Sequence, residues 1–151
     1  MRRLVAGVAL GAILCAGAVW AAEAPQDTVA ARVDTMKRMG GDVKVATDFT
    51  SKPADAKAKL ADAIKIAESI PSFFPKGTGI GDPGVTKSRA LQDIWAKPTE
   101  FKAAADNLAN LLKAADKAID SGDNDKMGAA FNAIGKGCKN CHDTFRGPQT
   151  E

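Results

Sequence analysis

Four long stretches of this chain repeat their apolar residues every three or four positions, and β-branched runs are absent. One helix face needs that spacing, so it predicts four amphipathic helices. The first spans about 27–45, with Val29, Val33, Met36, Met39 and Val43 in line and Asp27 as N-cap. The second spans about 53–70, opened by Pro53 and stopped by Pro71, with Leu60, Ile64, Ala67 and Ile70 as its stripe. The third runs from Pro98 to a Gly122 cap through Phe101, Ala105, Leu108, Leu112, Ala115 and Ile119. The fourth runs from Asp123 to Arg146 through Met127, Phe131, Ile134, Cys138, Cys141 and Phe145. Alanine fills 23 of the 130 positions from 22 onward, which favours helix further. Between the second and third helices lies one irregular stretch, about 71–87, holding Pro71, Pro75, Pro83 and four glycines at 77, 79, 81 and 84. A short helix over 88–95 follows it. Four helices with one stripe each, joined by short links between the first pair and the last pair, predict an all-α, antiparallel up-down-up-down bundle around one core.

The N-terminus reads differently. Met1-Arg2-Arg3 precedes an apolar run from Leu4 to Val19, and Ala21 and Ala22 offer small residues for cleavage. This is the pattern of an export signal. The run of 16 apolar residues is shorter than the ~18–20 that span a bilayer. Leu14 before Cys15 is too large for lipoprotein cleavage. We therefore expect residues 1–21 to be a signal peptide, cut after Ala21 or Ala22, and 22–151 to be one domain with no membrane insertion. Without the leader the chain keeps 19 basic and 18 acidic residues, a net +1. So mild a charge gives no case for a nucleic-acid partner or a lipid surface.

Export also removes Cys15, leaving Cys138 and Cys141. They belong to Cys138-Lys139-Asn140-Cys141-His142, a C-x-x-C-H sequence. Two thiols three residues apart share a helix face and can add to the two vinyl groups of haem, and the adjacent imidazole can then serve as proximal iron ligand. Other readings fit less well. A redox C-x-x-C opens a helix after a strand, and this one sits near the end of a helix in a chain with no strand. A structural zinc site needs four ligands, and these residues supply three. A plain disulfide leaves His142 without a role. The glycines do not make a phosphate loop, because no strand precedes them and no Lys-Ser/Thr follows.

Together these residues resemble the cytochrome c′ family. The resemblance covers nearly all of 27–146. It rests on Arg32-x-x-x-Met36, on Phe74-Pro75 with Gly77-Thr78-Gly79, on Ile94-Trp95, and on Cys138-x-x-Cys141-His142-x-x-x-Arg146. Cytochromes c′ are up-down-up-down bundles. The resemblance implies one covalent haem c on Cys138 and Cys141, with His142 as proximal iron ligand.

His142 is the one histidine, so the other iron face has methionines to draw on. Met127 lies eleven residues from Cys138 on the same helix, about 16 Å away along the axis, and cannot reach that face. Periodicity leaves Met36 and Met39 both open, as ligands or as core filling. In the family, the residue four after the first-helix Arg lies over the distal iron face and is usually apolar. Here it is Met36, which resembles the low-spin cytochrome c-556 type and implies Met36 as distal ligand. The resemblance further implies that Arg32 pairs with a haem propionate and that Arg146 contacts the proximal imidazole. Many members carry Gln beside the Arg, where this chain has Val33. Phe73, Phe74 and Trp95 are expected to pack in the core or at the haem edge.

The function implied is a periplasmic, single-haem electron carrier serving redox partner proteins, and not an enzyme. A peroxidase wants a distal base, and no second His is present. The alternative is five-coordinate binding or trapping of nitric oxide or carbon monoxide. Family members often pair through their first two helices, so a homodimer is compatible with the resemblance.

Overall fold

The computed structural model describes residues 23–148; the expected leader lies outside them. Helix α1 spans Pro25–Ala46 and α2 spans Pro53–Ser69, continued by a 3-10 turn over Ile70–Phe73. After an irregular segment come the one-turn α3, Asp93–Ala96, then α4, Pro98–Ser121, and α5, Asn124–Phe145. The four long helices form the expected bundle. α1 packs on α2, α2 on α4, and α4 on α5, whereas α1 and α5 barely touch.

Local chemistry sets the ends. Pro opens α1, α2 and α4, where its missing N–H costs nothing. Gly122 ends α4 in the left-handed conformation at φ 64°, which suits a residue without Cβ. Asp123 caps α5 by accepting from the Lys126 amide at 3.0 Å. Asp27 is not the cap of α1: the helix starts two residues earlier, at Pro25, and Asp27 stands in its first turn. The short helix is also smaller than expected. Residues 88–91 lie outside it, Gln92 is its N-cap in helical conformation, and Ala90 forms an antiparallel bridge with Arg146.

Leu60, Leu112, Ile134 and Val29 are the largest fully enclosed side chains. Burying each contributes about 1.5–3 kcal/mol over leaving it in water. The Phe101 ring meets Phe74 and Phe145 edge-on, at 4.9 and 5.2 Å between centroids. This triad joins the irregular segment, α4 and the end of α5.

The stripe of α1 is turned relative to the expected one. Arg32 and Asp42 are buried, while Val33 is 39% exposed. Apolar periodicity could not show this, because both buried side chains are charged. Asp42 is matched by Lys59 of α2 at 3.0 Å, and Arg32 by the irregular segment described below.

Candidate functional site

The near-absence of contact between α1 and α5 leaves a cleft along one side of the bundle. A cavity of about 390 Å³ runs between them, walled by Met39 and Val43 of α1, Leu108 and Leu112 of α4, and Phe131 and Cys138 of α5. Its surroundings are apolar but for Thr47 and Asn132.

Cys138 and Cys141 are both half-buried and packed against the core. Burial raises the pKa of each thiol, so they stand protonated on one face of α5, one turn apart. His142 follows on the more exposed side, its ring partly shielded from water by its neighbours. Arg146 Nη1 donates to His142 Nδ1 at 3.2 Å, as expected for residues four apart on a helix. Burial, then the charges of Arg146 and Arg89, hold the imidazole below its ordinary pKa. It is therefore neutral at neutral pH and keeps a lone pair to offer. An open recess of about 610 Å³ beside it is lined by Arg89, Lys139, His142, Asp143 and Arg146.

Met36 and Met39 sit across the cleft on α1. Phe49, in the turn after α1, stacks on Phe131 of α5 at 5.2 Å between centroids. Met39 lines the cleft together with Cys138. Met39 is 8% exposed and belongs to the core. Met36 is half-buried and packs against that core from its edge.

Arg32 lies one turn before Met36 and is 5% exposed. Nη1 donates to Thr78 Oγ1 at 3.0 Å and to the Phe73 carbonyl at 3.4 Å. Nη2 donates to the Thr78 carbonyl at 3.1 Å and to Ser88 Oγ at 3.0 Å. The guanidinium also lies 4.3 Å over the Phe74 ring. All four terminal N–H bonds therefore go to protein acceptors, and Nε–H alone remains for a propionate. Thr78 and Ser88 were not visible as site residues in the sequence. The buried Arg is the one signal that called for acceptors around it.

Phe73, Phe74 and Trp95 are half-buried against the core. The Trp95 indole N–H donates to the Phe74 carbonyl at 2.9 Å.

The donor set suits haem. Among the described residues no three His, Cys, Asp or Glu side chains stand close enough to chelate a metal ion. Cys138, Cys141 and His142 instead suit a metal that brings its own ring of nitrogen ligands, beside an apolar cleft that would bury the ring.

Comparison with known proteins points the same way. The family described as cytochrome C′ matches residues 22–146. A cytochrome c′ from Pararhodospirillum photometricum is 39% identical over 126 residues, covering 81% of this chain and 98% of that protein. A cytochrome c-556 from Agrobacterium fabrum is 34% identical over 140 residues, covering 88% and 87%. Among solved structures, a nitric oxide complex of a cytochrome c prime variant from Alcaligenes xylosoxidans superposes with a TM-score of 0.69 at 25% identity, covering 85% of this chain and 99% of that one.

Proposed function

This chain belongs to the cytochrome c′ family, whose members carry one covalently bound haem c per chain, and from that premise we propose that it is a periplasmic one-electron carrier with His142 and Met36 as axial ligands. When bound, haem supplies reversible one-electron chemistry. The residues of this chain hold and tune it. Cys138 and Cys141 form the thioether links from one face of α5. His142 would hold the iron through a ring nitrogen. A neutral ring so committed would carry its proton on Nδ1, and Arg146, which has donors alone, would stay beside it as a positive charge and not as a hydrogen-bond donor. The apolar walls exclude water, and a Met36 thioether raises the potential. Residues 1–21 direct export.

The observation that carries this reading is that Met36 is half-buried against the core on α1, one turn from Met39, which lines the cleft opposite α5. Similarity to a cytochrome c-556 as well as to a cytochrome c′ supports it. The second reading is gas binding. It is favoured by the nitric oxide complex of the Alcaligenes xylosoxidans relative, and by Met39, not Met36, lining the cleft beside Cys138.

Carbon monoxide binding to the reduced protein separates the two. A methionine ligand has to leave first, so the wild type binds slowly and Met36→Leu binds fast. Equal, fast binding by both proteins would favour the gas-binding reading.

A further inference from the structure

The irregular segment between the 3-10 turn and α3 is tied at both ends to the two helices that face each other across the cleft. On the α1 side, Gln26 Oε1 accepts from the Thr86 amide at 2.8 Å, and Arg32 reaches Phe73, Thr78 and Ser88. On the α5 side, the Leu91 amide donates to the Phe145 carbonyl at 3.0 Å and the Gly147 amide to the Arg89 carbonyl at 2.8 Å. Arg89 Nε adds a bond to the Gly147 carbonyl at 2.9 Å. Within the segment, Ser88 Oγ donates to the Thr78 carbonyl at 2.8 Å and accepts from the Ala90 amide at 3.1 Å, so the two ties share one network.

α1 and α5 have little direct packing to fix their separation. The segment 73–92 supplies that restraint. Arg32 is its anchor on α1, buried, four residues from Met36, with every terminal N–H used. We propose that Arg32 is a positioning residue: through the 73–92 clamp it sets how closely the α1 turn bearing Met36 approaches the iron held by α5, and so whether Met36 stays bound. This rests on Met36 being the distal ligand, and it gives Arg32 a different task from pairing with a propionate.

The test is a cycle on the holoprotein. Arg32→Lys keeps the charge and loses the planar fork. Ser88→Ala keeps Arg32 and removes the hydroxyl that joins the two ties. Each is made in the wild type and in Met36→Leu. Carbon monoxide association, spin state and hydrogen exchange of residues 74–92 are read well below the melting temperature.

In the Met36 background each variant raises the Met36-released population about tenfold, the equivalent of about 1.4 kcal/mol. Carbon monoxide association accelerates by the same factor, and residues 74–92 exchange faster. In the Met36→Leu background the acceleration disappears, because no ligand is left to release. Faster exchange with unchanged spin state and association rate would overturn the proposal, leaving Arg32 a brace for the loop alone. The same acceleration in both backgrounds would overturn it too, since Arg32 would then act on access and not on Met36. If Met36→Leu alone leaves the spectrum unchanged, the distal-ligand reading itself fails and the proposal falls with it. Should Arg32→Lys not fold, Ser88→Ala completes the same cycle.

Discussion

At the scale of single residues, the sequence singles out candidates for the proximal half of the proposed site more sharply than for the distal half. Cys138, Cys141 and His142 declare themselves because covalent attachment dictates a local spacing. Met36 and Met39 have the same chemistry and lie one turn apart, so periodicity alone could not rank them. The fold separates them by burial, with Met39 in the core and Met36 at its edge. Arg32 was expected at the site from the resemblance, and its surroundings were not legible, because its acceptors lie 41 to 56 positions away in the chain. Leu and Met have similar volumes, so either methionine can be changed at a packing cost under about 1.5 kcal/mol. Met36→Leu is expected to turn the protein high-spin, whereas Met39→Leu keeps the parent's spectrum. Absorption spectra of the two variants check this, and conversion by Met39→Leu alone would move the ligand one turn along α1.

At the scale of elements, all four long helices follow from the period of their apolar residues, and their ends from Pro, Gly and Asp. The misses are physical. Asp27 carries a capping side chain, but Pro25 begins the helix before it and leaves Ala24 at the cap. Residues 88–91 have helical composition, yet hydrogen bonds to Phe145 and Gly147 and the bridge of Ala90 to Arg146 keep them out of the helix, a contact between distant parts of the chain that no local pattern records. Gly79 shows how tightly that region is built. A Cβ there would lie 2.5 Å from Trp95 Cζ3, and the indole is held by its bond to Phe74. Gly79→Ala is therefore expected to cost about 1–3 kcal/mol of stability. Gly128, inside α5, has nothing within 4 Å of its would-be Cβ, so Gly128→Ala gains about 0.5–1 kcal/mol from helix propensity. Thermal unfolding of the two variants should move in opposite directions.

At the scale of the whole molecule, the helices that carry the axial-ligand candidates pack on α2 and α4 and hardly on each other. That arrangement opens an apolar cleft beside the cysteines and hands the spacing of its walls to one irregular segment. Among the described residues no helix is long and apolar enough to cross a membrane. The proposed export signal predicts that protein isolated from the periplasm begins at Ala22 or Glu23, which N-terminal sequencing reads directly. The proposed attachment predicts that acid–acetone extraction leaves the colour on the polypeptide. The central claim is that His142 and Met36 hold the iron together in both redox states. Its most direct test is the visible spectrum of the periplasmic holoprotein, recorded oxidised and reduced. The account predicts six-coordinate, low-spin haem in both, and a five-coordinate, high-spin spectrum in the wild type would contradict it.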